Sequence, residues 1–310
     1  MPLSLKNMLL LAKVETTSGT DATPTPAANS MLVRGLTPKP VEAEFVERNL
    51  IRGSKGNFGQ LSVGVHRVLE FETELAGSGV AGTAPAWGPL LKACGFAETI
   101  VATTSVAYAP VSSGEPTLTL YSYVDGTLFK MTECKGTVSF DLNAKQIPVA
   151  KWRFIGVYSA ATDVTFPTTM SFSTWVKPVT VGKINSQFTL LGAAVGMESL
   201  TFDIANVLRW RELVNKAGAR SPDRKPQGTV VFEMELNAVQ NWGEITRQNT
   251  EGPLNFVNGT QAGNIITINM PKVTPNAAPT ITNSDEIAMV NLGFSINPNV
   301  ANDEVVITCT

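Results

Sequence analysis

Three carboxylates stand two residues apart, Glu70, Glu72 and Glu74, inside the run Leu69-Glu-Phe-Glu-Thr-Glu-Leu75. Period-two alternation puts all three on one face of a strand, with Leu69, Phe71 and Leu75 on the other. A pair of carboxylates at the right separation is the equipment of a glycoside hydrolase. The same alternation is what a solvated or pore-facing sheet surface needs, because antiparallel sheets commonly bury one face and wet the other. Nothing nearby completes a catalytic group, so the second reading is preferred. The single histidine, His66, lies just upstream of the run. A catalytic triad or a zinc enzyme needs such a residue beside a nucleophile or further ligands. No G-x-S-x-G, H-E-x-x-H or Walker A stretch is present.

Gly77-Ser-Gly79-Val-Ala-Gly82 matches the G-x-G-x-x-G spacing of dinucleotide-binding loops. That fingerprint follows a buried parallel strand in a βαβ unit, whereas the strand here has an acidic face. It reads instead as a flexible connection into a helix over Ala86–Cys94, where Trp87, Leu90, Leu91 and Cys94 fall on one side. Cys94, Cys134 and Cys309 form neither a disulfide framework nor a zinc pattern. They are expected to be reduced thiols, which suits assembly in a cytoplasm. No cofactor or metal is implied. Trp87, Trp152, Trp175, Trp210 and Trp242 read as core or interface anchors.

The acidic strand occurs twice. Val230–Leu236 reads Val-Val-Phe-Glu-Met-Glu-Leu, which aligns Phe232 with Phe71, Glu233 with Glu72 and Glu235 with Glu74. Each copy follows a strand-like stretch (Val41–Ile51; Glu198–Val214) and a polar loop (Arg52–Gln60; Asn215–Gln227). A short helix-like piece with Trp-Gly follows each, at Trp87-Gly88 and Trp242-Gly243. Fixed-offset similarity marks repetition. The expectation is a mainly β chain of two tandem domains, each with one short flanking helix. The first covers residues 35–160 and the second 197–310, joined by a bridge at 161–196 and preceded by an arm at 1–34.

That arm opens on an apolar cluster, Met8–Ala12, and continues Thr/Pro/Ala-rich. It is expected to run extended over the surface, either as a disordered tail or as an arm whose cluster is covered by a neighbouring subunit. The cluster is too short for a signal peptide or a membrane span, and the Asn258-Gly-Thr sequon then carries no meaning. Asp125-Gly126 between alternating runs predicts a hairpin. Thr165–Val181 reads as strand-like and Thr274–Thr280 as loop. Gly136–Asp141, Val149–Tyr158, Ile265–Met270, Glu286–Ile296 and Glu304–Cys309 read as strands. With 43% hydrophobic and 16% charged residues in a 310-residue chain and a net charge of −2, the composition fits antiparallel β structure. It gives no basis for gripping nucleic acid by phosphate neutralisation.

Three separated stretches carry a family likeness: Met8–Thr25, Glu74–Phe96 and Gly136–Ala144, with a fourth, weaker one at Asp223–Glu233. They resemble the tail tube proteins of long-tailed, non-contractile phages. The resemblance implies a structural virion protein, built from β-sandwich or rolled-sheet domains, that is not an enzyme. Six such domains surround a lumen through which DNA leaves the capsid, so a two-domain chain implies trimeric, pseudo-hexameric rings stacked into a tube. The implied partners are further copies and other tail proteins (tape measure, tail terminator, distal tail), with DNA passing unbound and no membrane contact. Expected lumen residues are Glu70, Glu72, Glu74, Glu233 and Glu235, because an acidic bore repels DNA. Expected ring-stacking residues are Arg52, Lys55, Asn57, Lys216, Arg220, Asp223, Arg224 and Lys225. The runner-up reading is a sheath, tail-tip or fibre component; a carbohydrate-binding β protein is more distant.

Overall fold

A computed structural model describes residues 3–236 and 240–310. The chain is mainly antiparallel β with three short helices among the described residues. Alternation dictates the ladders. In Thr127–Asn143, Val138, Phe140 and Leu142 are buried while Thr137, Ser139 and Asp141 are half-exposed. The buried set packs onto a single core in which Phe71 and Phe154 stack at 5.9 Å and Phe140 and Phe202 at 4.7 Å. Burying each such ring contributes about 1.5–3 kcal/mol.

The first half forms one ladder. Its order is Ser30–Met31, Met8–Val14, Leu118–Val124, Thr127–Asn143, Val149–Tyr158, Gln60–Glu74, with Arg34–Pro38 and Glu42–Glu47 sharing the far edge. The second half repeats that order. Ala193–Ala194, Ser186–Leu190, Gly252–Asn258, Ile266–Pro275, Ile287–Ile296, Gln227–Glu233 and Met197–Asp203 follow one another. Thr280–Ser284 continues the line of Ile266–Pro275 along Ile287–Ile296. The doubled strand holds the same place in both, Phe71 opposite Trp152 and Phe232 opposite Val290. A six-residue helix follows each copy, Gly88–Ala93 and Trp242–Arg247. Helices this short are not stable alone. Trp87 is buried and donates to the Ala76 carbonyl (2.8 Å), and Trp242 packs on Phe232 at 4.6 Å. The Asn241 side chain also caps the second helix by accepting from the Glu244 amide.

Two seams join the halves. Thr127–Asn143 pairs along one edge with Val149–Tyr158. Its other edge is shared by Leu118–Val124 and, at its end, by Met197–Asp203. The C-terminal strand Val306–Cys309 lies between Ile266–Pro275 and Ser105–Pro110 of the first half.

Several expectations need correction. Met8–Val14 is an inner strand whose cover comes from this chain. Leu10 and Ala12 face the main core, while Leu9 and Leu11 join Tyr121 and Tyr123 beneath Val164, Phe166 and Phe172. Thr165–Val181 contains no strand. It is the irregular strap that provides this cover, tied down where the Trp175 indole donates to the Ser30 carbonyl (3.1 Å); Pro167 and Pro178 disfavour a ladder there. Ser186–Leu190, expected in the bridge, pairs with Gly252–Asn258. Only Asn276–Pro279 of the expected 274–280 loop is irregular. The strand in the second copy stops at Glu233, and Leu236 is exposed.

Candidate functional site

Opposite the core, the outward side chains of both halves form one polar sheet face. In the first half it carries Glu70, Glu72 and Glu74, then Lys151 and Arg153, then Thr137, Ser139 and Asp141. Across the seam Asp141 lies opposite Thr201 and Ser139 opposite Asp203. Thr229, Val231 and Glu233 follow, then Asn291 and Gly293. Two open depressions lie on it, one around Glu70, Lys151 and Asp203, the other around Ser139, Thr201 and Gly293. The face is continuous because the inward residues at the seam, Phe140 opposite Phe202 and Leu142 opposite Leu200, fix the register.

The acidic residues here are partly neutralised. Glu70 pairs with Arg153 (3.2 Å), Glu72 with Arg34 (2.8 Å) and Asp141 with Lys151 (2.5 Å). The hydrogen bond to Asp141 raises the Lys151 pKa. Exposed pairs like these contribute about 0–1 kcal/mol each, so their consequence is for the field of the face. Glu74, Glu233 and Glu235 have no ion-pair partner among the described residues, and the last two are exposed. All of the acidic strand residues except Glu235, which lies beyond the strand, project from the same side.

The two polar loops occupy matching hairpins. Arg52, Lys55 and Asn57 are exposed in the connection between Glu42–Glu47 and Gln60–Glu74, with the Arg52 guanidinium 4.4 Å above the Phe58 ring. In the second half, Arg209–Leu213 pairs with Lys216–Arg220, and Asn215 sits in the turn with φ 67°. Lys216 is exposed there. Arg220 reaches Glu133 of the first half (2.8 Å). Arg224 bridges Glu304, the Val111 carbonyl and Asn302, the last two at 2.8 and 2.7 Å. The Asp223 carboxylate accepts from the Arg224 amide and the Asp223 carbonyl from Val207 N. Lys225 is exposed; its amide donates to the Ala205 carbonyl. Four of the eight stacking candidates (Arg52, Lys55, Asn57, Lys216) therefore lie at hairpin tips, and Arg220, Asp223 and Arg224 tie the chain to itself.

The remaining sequence features resolve into packing. Gly77 and Gly79 meet the backbone of Gly263: the Gly79 amide donates to the Gly263 carbonyl (2.9 Å), and a Cβ at Gly77 would lie 2.1 Å from that oxygen. The expected flexible loop is a close backbone contact between the halves. His66 stacks on Trp210 with ring centroids 5.1 Å apart. All three cysteines are free and buried. Asn258 is buried, its amide nitrogen donating to the Val179 carbonyl. Among the described residues no group of three or more His, Cys, Asp or Glu side chains could hold a metal ion, and no helix is long and apolar enough to cross a membrane.

A family model described as phage tail tube protein matches residues 6–296. The chain belongs to the phage tail tube protein family. No curated protein matches it. This tail tube protein is a structural component of the virion tail. Sequence reasoning found its acidic strands and the Arg52–Gln60 loop, but the expected loop Asn215–Gln227 contains the strand Lys216–Arg220, whose Gly and Ala residues carry no strand signal. That reasoning also missed Arg153 and Arg34 as counter-ions of the acidic strand and Lys151 as that of Asp141, although the direct opposition of Glu70 to Arg153 follows once the two strands are paired.

Proposed function

We propose that the halves act as tandem tube domains, that three copies form a pseudo-hexameric ring, and that stacked rings make the conduit for genomic DNA. The observation that carries this reading is the matched strand order of the halves, down to Phe71 and Phe232 in the same position. Repeated modules in one chain halve the number of copies that a ring requires. On this reading the domains reach outward beyond 35–160 and 197–310, taking in Met8–Val14 and Ser186–Leu190.

The polar face lines the bore. Four strand positions from each half, in three copies, would close a barrel of twenty-four strands. Barrels of about 16–18 strands already hold an open aqueous channel. Its side chains are Ser, Thr, Asn and ion-paired acids with a surplus of Glu, so a polyanion slides without finding a cationic patch. Glu74 and Glu233 provide that surplus, with Glu235 just beyond the strand end, and the tips at Arg52–Asn57 and Asn215–Lys216 contact the next ring. Tape-measure, terminator and distal tail proteins would meet the tube inside and at its ends.

Negative-stain images of the purified protein test the assembly: hollow tubes or stacked rings are expected, and dispersed monomers at high concentration would refute it. Glu74, Glu233 and Glu235 changed together to Lys should leave tubes intact and slow DNA ejection. Unchanged ejection would place this face outside the bore.

A further inference from the structure

The seam inside one chain shows how a domain of this shape receives the next. Ser199–Asp203 pairs with Ser139–Asn143, and the hairpin that follows, Arg209–Arg220, folds back over the first half. There Ala219 is buried against Val68 and Ile155, Trp210 stacks on His66, and Arg220 meets Glu133.

The matched ladders locate the same two surfaces at the chain's free ends. Trp152 lies opposite both Phe71 and Val138, and Val290 lies opposite both Phe232 and Ile281. Ile281 therefore stands where Val138 stands. Val138 is fully buried and its carbonyl accepts from Ile204 of the second half (3.1 Å); Ile281 is 68% exposed. Likewise Ile287 takes the place of Val149 and is 50% exposed against 3%. Among the described residues Thr280–Ser284 pairs on one edge only.

The first half shows the converse. Its hairpin, Glu42–Glu47 with Gln60–His66, takes the place of Arg209–Arg220, yet Phe45, Val46 and Leu61 are 63%, 53% and 60% exposed. An apolar two-stranded ribbon standing in water needs cover. The ribbon is anchored at its base: Arg67, itself buried, donates to the carbonyls of Pro40, Lys130 and Ser159 at 2.9–3.1 Å.

We infer that neighbouring copies in a ring join through a replica of the internal seam. The first hairpin of one copy lies over the second half of the next, and its Arg34–Glu42 edge lies along the neighbour's Thr280–Ser284. The two surfaces differ and sit at opposite ends of the sheet. Each copy thus gives one and receives one, a head-to-tail contact that closes a ring. Pro38 and Pro40 keep the shared ladder short, so ribbon packing carries the contact and unregulated edge pairing is limited. This inference rests on the ring assembly proposed above.

Counting along the matched strands, Lys39 of one copy falls beside Ser284 of the next. Assembled full-length protein carrying Lys39→Cys and Ser284→Cys, treated with a short bismaleimide, should give dimers and trimers on a denaturing gel. Either single variant should give no ladder; the native cysteines are buried. Rings in which the double variant stays monomeric on the gel would overturn the inference. A ladder reaching six would uphold the seam and refute the threefold ring. Failure of the unmodified protein to form rings refutes both. Independently, Phe45→Ser with Leu61→Ser should leave the thermal midpoint of the monomer unchanged and raise the concentration needed for ring formation by about tenfold or more. Unaltered assembly of that variant would also overturn the inference.

Discussion

Two hairpins occupy the same place in the two halves and meet different fates. The base of Arg209–Arg220 is packed onto its own chain, with Ala219 buried and Arg220 ion-paired, while Leu213 and Val214 at its tip are exposed. Glu42–His66 stands out from the sheet with apolar side chains in water. Both follow the same strand order and precede the same acidic strand. On the proposed assembly the difference is that the second hairpin has a neighbouring half within its own chain, and the exposed Phe45, Val46 and Leu61 of the first await the same cover from the next copy.

The largest test of that comparison acts on the shared frame. Phe71→Ala and Phe232→Ala remove rings buried at equivalent positions, and each should cost about 3–5 kcal/mol in denaturant unfolding. A near-neutral result at one site alone would break the equivalence. Next come the hairpins themselves. Ala219→Asp puts an unpaired charge under the packed hairpin and should cost about 3 kcal/mol or more. Val63→Asp, on the exposed ribbon, should stay within about 0.5 kcal/mol. Equal effects would mean that the two hairpins are alike in the monomer.

Alkaline pH should act on both halves together. Burial pushes the Cys94 and Cys134 thiols well up and Cys309 to about 12, from an ordinary 9.0. The folded state favours the neutral thiol, so this contribution is fully present below pH 9 and is lost as pH rises from there towards 12. Unfolding midpoints measured across that window should fall, and a thiol reagent at pH 8 should label the protein only after denaturation. At the packed hairpin the milder change is Arg220→Ala. It breaks one partly exposed pair with Glu133 and should cost about 1 kcal/mol, separating the ion pair from the apolar contact at Ala219.

Much of this was legible in the sequence because one-sided burial writes period two into a strand. The doubled Phe-Glu-x-Glu run, the Asp125-Gly126 hairpin and both Trp-bearing helices follow from local signals. The failures share a cause: periodicity reports burial but not partners. Met8–Ala12 reads as a continuous apolar run because both of its faces are covered, and nothing local says that the cover is Val164–Phe172. The strap looked like strand because Thr, Val and Phe are its residues too. Arg34 and Arg153 became counter-ions only through pairing over 38 and 83 residues, and Lys151 through the ladder that sets Val149–Tyr158 beside Thr127–Asn143.

A density map of the assembled tube at side-chain resolution tests the central claim most directly. Three chains per level are expected, with six like domains around the bore, Ser139, Thr201 and Glu233 facing it, and Phe45 covered by the adjacent copy. Six chains per level, or the Glu70–Glu233 face turned to the outside of the tube, would contradict it.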